Sequence, residues 1–323
     1  MKDYRGLFLF WLMIGSMSVH SQFDSQVGLY MFSTSSYNPA GVGEEDLMKI
    51  SGLHRMQYIG VNNAPMVTYA HFSSPFVIRK TKHGAGVKFL NDRFGLFRNQ
   101  AFYVQYAYRH KIGSGHICAG VDLGFVDVSF KGDSVNLKNL GAESDGSEYF
   151  VENDRAIPSG KKSDMSFDMT LGAYYYSSTF WGGVSYTHVT GTKIKWDEYN
   201  HIRLKGTLYV TFGYNYRFKY SRKWELKPSL MLMSDFVSWD LSTTLLCEYN
   251  SRFRWGVGYR MIGSVNFLFS VDIITGLQLG YTFEIPHNRL MAESAGTHEV
   301  SLSYGFNILR NKSTNRYKSI RFL

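Results

Sequence analysis

From about residue 84 to near the C-terminus the chain repeats one pattern. Short segments alternate apolar and aromatic side chains with Gly, Ser, Thr and charged residues. In Phe102-Tyr103-Val104-Gln105-Tyr106-Ala107-Tyr108-Arg109, one face carries Phe102, Val104, Tyr106 and Tyr108. The other carries Tyr103, Gln105, Ala107 and Arg109. Side chains of a strand alternate faces with period two, so the pattern predicts a sheet with one apolar and one wet side. Strands are expected at 50–58, 66–73, 84–91, 100–109, 115–130, 165–176, 179–189, 203–217, 224–233, 237–248, 252–261, 264–272, 276–285 and 296–308. Val265, Phe267, Phe269 and Val271 form a strong outward face, as do Leu277, Leu279, Tyr281 and Phe283, and Val300, Leu302, Tyr304 and Phe306. Leu204, Gly206, Leu208, Val210, Phe212 and Tyr214 read as another.

Lys2 and Arg5 precede an apolar run from Leu7 to Ile14, and Val19 and Ser21 suit a small-residue cleavage site. This is the layout of a secretory signal over residues 1–21, leaving Gln22 as the mature N-terminus. Beyond it no apolar run reaches the roughly 20 residues of a spanning helix. A membrane chain without such helices must close its sheet, because every backbone group has to be paired in lipid. The expected fold is therefore an all-β transmembrane antiparallel barrel of about fourteen strands, an even number, in a Gram-negative outer membrane.

An even strand count puts both termini on one side, expected to be periplasmic. The long connections, 131–164, 190–202 and 286–295, then face outward, and the short ones face the periplasm, as in bacterial barrels. Residues 22–49 read as an N-terminal segment, periplasmic or folded into the lumen, with turn chemistry at Asn38-Pro39-Ala40-Gly41 and an acidic cluster at Glu44-Glu45-Asp46. Residues 50–308 are the barrel, and 309–323 a basic periplasmic tail.

Tyr (23) and Phe (24) are plentiful and charged residues make up 19% of the 323 positions, as suits a chain with a lipid-facing surface. The net charge is +9. Its dispersal and the export signal argue against a nucleic-acid partner. Charge instead sorts by side: Arg79, Lys80, Lys82, Lys111, Lys219, Arg222 and Lys223 lie in the proposed periplasmic turns. Arg310, Lys312, Arg316, Lys318 and Arg321 lie in the tail, while the 131–164 loop is of mixed sign. Such a rim would attract an acidic partner.

Cys118 and Cys247 fall on opposite faces of the sheet, which disfavours a disulfide. The sequence has no Gly-x-Ser-x-Gly elbow, His-Glu-x-x-His, Cys-x-x-Cys or phosphate loop, and implies no cofactor. His298 and Glu299 point to opposite faces, and His188 shares the outward face of Phe180, Val184 and Tyr186. Asp122, Asp168, Asp240, Glu248, Asp272 and Glu284 fall on inward faces. They suit a hydrated lumen, a solute pathway or a socket for a plug. A passive porin and a hydrolase with dispersed catalytic residues are the competing readings.

Ser25-Gln26-Val27-Gly28-Leu29-Tyr30-Met31-Phe32, then Tyr37-Asn38-Pro39-Ala40-Gly41-Val42-Gly43, resembles the N-terminus of the PorP/SprF family, outer-membrane barrels of the Bacteroidetes type IX secretion system. Arg55-Met56-Gln57-Tyr58-Ile59-Gly60 resembles its Arg-x-Gln-Trp-x-Gly, and Asn63-Ala64-Pro65 its Gly-Ala-Pro. Gly84-Ala85-Gly86, Asn91-Asp92-Arg93-Phe94-Gly95 and the 296–302 strand continue the likeness. Gly41-Val42 stands where Tyr-Ala is usual, and Tyr58 where Trp is. The resemblance implies a non-enzymatic component of protein secretion and gliding. Its implied partners are the periplasmic ring proteins (PorK- and PorN-like), a PorE-like peptidoglycan-binding protein and secreted proteins with C-terminal sorting domains. Tyr30, Met31, Phe32, Asn38, Pro39, Gly41, Arg55, Gln57, Gly60 and Pro65 enter as candidate docking or structural positions, beside the basic residues of the tail.

Overall fold

The computed structural model describes residues 24–132, 160–197, 200–221, 223–287 and 291–307. Seventeen strands follow in chain order among these residues. They are β1 (Met48–Met56), β2 (Met66–Ile78), β3 (Thr81–Phe94), β4 (Phe97–Ile112), β5 (Gly115–Lys131), β6 (Lys161–Tyr176), β7 (Phe180–Tyr186), β8 (Lys193–Lys195) and β9 (His201–Arg203). Then come β10 (Leu208–Tyr214), β11 (Tyr216–Arg217), β12 (Trp224–Ser234), β13 (Trp239–Tyr249), β14 (Phe253–Arg260), β15 (Ser264–Ile274), β16 (Leu277–Pro286) and β17 (Thr297–Phe306).

All but β8 and β9 belong to one antiparallel sheet in which each strand pairs with the next. β10 and β11 are one strand interrupted at Asn215, and both pair with β12. β1 pairs with β17 from Met48–Phe306 to Met56–His298, which closes the sheet into a barrel of fourteen strands. Closure removes both edges, the condition for a sheet to sit in lipid.

The period-two pattern sorts the side chains as read. Phe102, Val104, Tyr106 and Tyr108 are 51%, 56%, 42% and 42% exposed, while Tyr103, Gln105, Ala107 and Arg109 are 4%, 1%, 0% and 1% exposed. The outer wall of the other long strands is apolar in the same way, with Phe125, Phe167, Val257, Phe267 and Leu302 exposed on it. A barrel greasy outside and charged inside is the inverse of a soluble protein, and its solvent is the bilayer.

Connections differ by end. One end has short turns such as 79–80, 113–114 and 177–179; the other carries 57–65, 132–160, 187–207 and 287–296. The last stretch of the seventh expected strand (187–189) and residues 204–207 of the eighth are not strand, and Arg203 belongs to β9. Between them β8 and β9 form a hairpin that folds into the barrel mouth. Ile194 is fully buried there against Ala101, Tyr103, Val126 and Val128, with Trp196, Ile202 and Leu204 beside it. Leu204 is thus drawn inward and does not extend the outward face of Leu208 to Tyr214. Trp196 anchors the hairpin by donating Nε1–H to the Val128 carbonyl at 2.9 Å. The 133–159 part of the long loop and the tail with Arg310, Lys312, Arg316, Lys318 and Arg321 lie outside the described residues.

Candidate functional site

The lumen is filled by the chain's own N-terminal segment. Asp24 lies toward the long-loop end, and the segment descends through the barrel to enter β1 from the short-turn end. Short three-residue turns at Tyr30–Phe32 and Pro39–Gly41 flank a single helical turn at Thr34–Tyr37. Leu29, Tyr30, Met31, Tyr37, Ala40 and Val42 are all buried. All but Val42 pack on inward side chains of the wall, among them Tyr174, Trp181, Met231 and Leu268, so the main apolar core lies around the plug.

One strip of wall is shaped for this segment. Gly84 pairs with Ala107, Ala107 with Gly120, Gly120 with Gly172 and Gly172 with Ser185, a row of small inward residues across five strands. The plug backbone lies on this row. A Cβ on Gly84 would stand 2.0 Å from the Val42 carbonyl oxygen, and one on Gly120 would stand 2.3 Å from the Ala40 nitrogen. One on Gly172 would stand 2.1 Å from Asn38 Oδ1. Only glycine allows so close a backbone approach.

Polar groups fix the register of the plug. Three successive plug carbonyls each accept a wall hydrogen bond: Ser35 from Gln105 Nε2 (3.1 Å), Ser36 from Lys88 Nζ (3.1 Å) and Tyr37 from Ser185 Oγ (2.8 Å). Asn38 donates Nδ2–H to the Ala173 and Val184 carbonyls at 3.1 and 3.3 Å, and its Oδ1 accepts from the Ala40 N–H at 3.0 Å. Pro39 opens the turn, where its missing N–H costs nothing. Higher up, both Glu299 oxygens accept from the Gly28 and Leu29 N–H groups at 2.8 Å. Arg55 holds Glu299 at 3.2 Å and Glu284 at 2.7 Å. Arg260 extends the chain of charges to Glu284 at 2.8 Å. A buried carboxylate that orients two N–H donors needs such a cation to offset its desolvation.

The top of the plug is held by a charge cluster. Thr187 Oγ1–H and Tyr209 O–H donate to Asp24 Oδ2 at 2.7 and 3.1 Å. His188 Nε2 lies 3.0 Å from Asp24 Oδ1, and its Nδ1 lies 2.9 Å from Asp168 Oδ2. Burial alone would lower the His188 pKa, but the Asp24 charge and the contacts to Asp168 outweigh it and raise the value to about 10. Asp24 is likewise opposed by burial, yet its pKa is held below the usual value by His188 and its hydrogen bonds. His188 thus does not continue the outward face of β7. It adopts a left-handed φ of 49°, and that turn swings its ring into the lumen.

The inferred positions therefore separate. Tyr30, Met31, Phe32, Asn38, Pro39, Gly41 and Arg55 converge in the lumen. Gln57 and Pro65 lie at the long-loop end, joined by a Gln57 N–H to Pro65 carbonyl bond at 2.9 Å. Gly60, at φ 103°, sits in the same loop beside the Glu293 carbonyl. Asp122, Asp168, Asp240, Glu248, Asp272 and Glu284 do face inward, and all but Asp272 are buried or nearly so. Asp24 and the glycine row were not singled out from sequence, and Glu299 and His188 were read there only for the strand face each takes. The inward placement of Gly84 and Gly120 was readable; their adjacency to Gly172 depends on register. Cys118 is buried inside and Cys247 is half-buried, and both are free thiols.

Several solved barrels are similar in shape. They include the toluene transporter TodX of Pseudomonas putida, at 12% identity over 90% of this chain and 96% of that one (TM-score 0.48). The monoaromatic hydrocarbon channel CymD matches at 12% identity over 91% and 96% (TM-score 0.48). The Acinetobacter baumannii outer membrane protein Omp33 matches at 8% over 82% and 99% (TM-score 0.45). No curated protein sequence matches the chain. The profile described as type IX secretion system membrane protein PorP/SprF matches residues 19–304, nearly all of the plugged barrel, and the chain belongs to that family of outer-membrane secretion components.

Proposed function

We propose that the protein is a non-enzymatic docking component of the type IX secretion and gliding machinery, exported by a signal at residues 1–21 and seated with both termini in the periplasm. The single observation that carries this reading, within the secretion family, is the occupied lumen. A passive porin needs an open path, whereas here the chain's own segment occupies the bore and is bonded to the wall along its length. The distribution of long and short connections supports the orientation. On the short-turn end Arg79, Lys80, Lys111, Lys219 and Lys223 are exposed. The acids of that end are engaged: Glu45 with Lys49 at 2.7 Å, and Asp46 with Lys82 at 2.7 Å. The rim thus presents cations to acidic surfaces of periplasmic partners such as the ring and peptidoglycan-binding components.

Deleting the gene should leave sorting-domain proteins inside the cell, and restoring it should return them to the medium. Normal secretion without the gene would overturn the proposal. Cross-linked pull-down from outer membranes should recover periplasmic secretion components, and removing residues 310–323 should weaken that recovery, more so at low salt.

A further inference from the structure

Beside the upper plug, from Ser36 and Tyr37 past Asp24 toward the long-loop end, lies a cavity of about 490 Å³. That is the size of a pocket for a small organic ligand. Much of its wall is apolar and aromatic, with Tyr58, Tyr69, Leu90, Phe94, Phe97 and Tyr103 lining it among polar residues. Phe94 and Phe97 stack with ring centroids 5.3 Å apart.

Two residues with few hydrogen-bond donors to their acceptors border this space. Asp92 and Asn99 are direct cross-strand partners on β3 and β4, and both line the cavity. The Asp92 carboxylate accepts from Ser25 Oγ–H at 2.6 Å and, among the described residues, has no cation within ion-pair distance. Asn99 Oδ1 is buried with no hydrogen-bond partner. The cavity's cations are committed or distant. Lys88 is bonded to Asp122 at 2.8 Å, His188 lies between Asp24 and Asp168, and exposed Lys205 makes no ion pair with Asp92. The wall already takes one ammonium on an aromatic face: Lys88 Nζ lies 4.6 Å from the Tyr103 ring centre.

From this we infer that the cavity is a binding site for an organic cation, a protonated amine or guanidinium on an apolar or aromatic body. The cationic group would donate to Asp92 and Asn99, and the body would lie against the aromatic wall. Such a cation could come free or as the basic side chain of a peptide, and the chemistry of recognition is the same.

The test uses the full chain purified in detergent, with calorimetry at pH 7.5 and low salt. The probes are 2-phenylethylamine, its guanidine analogue, the neutral 2-phenylethanol, and the capped dipeptide Phe-Arg amide. The amine or the dipeptide should bind at least ten-fold tighter than the alcohol, and Asp92→Asn should abolish that preference while leaving the alcohol's affinity unchanged. Preference for the dipeptide alone assigns a peptide source, and equal preference assigns a free cation. A second measurement needs no variant. Saturating amine or dipeptide should protect Asp92 from carbodiimide coupling, read by peptide mass. Equal affinity for alcohol and cations, unchanged preference in Asp92→Asn, or absence of protection would each overturn the site.

Discussion

Gly120→Ala probes the seat of the plug most directly. The new Cβ would lie 2.3 Å from Ala40 N, 2.4 Å from Pro39 C and 2.6 Å from Ala40 Cα, all backbone atoms that no rotamer change can move. Ordinary contact begins at 3.4 Å, so the plug would have to retreat by at least 3.4 − 2.3 = 1.1 Å. A shift of that size takes the Asn38 bonds to Ala173 and Val184, and the Ser185 bond to Tyr37, out of range. Three hydrogen bonds at about 1 kcal/mol each, with an overpacking strain of about 1–2 kcal/mol, come to roughly 4–5 kcal/mol. At 1.4 kcal/mol per decade the ratio of seated to unseated plug should fall by about 10³-fold. Planar-bilayer recording should then show openings absent from the parent protein. A cysteine at Ser36, in a background without Cys118 and Cys247, should become open to a water-soluble maleimide. Gly52→Ala is the control, because its Cβ would meet nothing closer than the Tyr69 carbonyl at 3.9 Å. A Gly120→Ala barrel that stays closed and protected would refute the claim that the glycine row seats the plug.

Other outcomes follow from the same contacts. Arg55→Met should cost about 3–5 kcal/mol, because Glu284 and Glu299 would be left buried without this cation; thermal unfolding in detergent should show a lower midpoint, partly restored by adding Glu299→Gln. The folded pKa of His188 is raised to about 10, so its stabilisation is full below about 6.5 and lost as pH rises through about 10. Maleimide access at Ser36→Cys should therefore increase between pH 8 and 10.5, and His188→Gln should flatten that rise. Deleting residues 24–46 should leave a folded barrel that conducts steadily; a silent barrel would mean that the β8–β9 hairpin closes the bore unaided. Reversing Arg79, Lys80, Lys111 and Lys219 to Glu should reduce recovery of acidic partners, with the difference shrinking as salt rises.

Much of the wall was legible from the chain alone. Period-two alternation is a local property, since successive side chains of a strand must point to opposite faces whatever they pair with. It yielded the fourteen strands, their inward acids and the apolar exterior. It failed where a local rule was broken by a distant contact. His188 continues the outward alternation of Val184 and Tyr186 in sequence, yet a left-handed turn brings it between Asp24 and Asp168. Leu204 fits the outward face of the next strand, yet the hairpin at Ile194 draws it into the mouth.

The plug shows the same division. Its sequence, with Asn38-Pro39 and an apolar run at Leu29-Tyr30-Met31, has turn chemistry and buried character but nothing to say against which surface. That surface exists only once Gly84, Ala107, Gly120, Gly172 and Ser185 come into register across five strands. Register is set by closure of the whole barrel, with β1 on β17, and not by any one segment. Composition and alternation thus determined a membrane barrel with a polar interior. Only the tertiary structure decided that the interior is occupied, because the small residues and charges that hold the plug are far apart in sequence and meet only in the closed sheet.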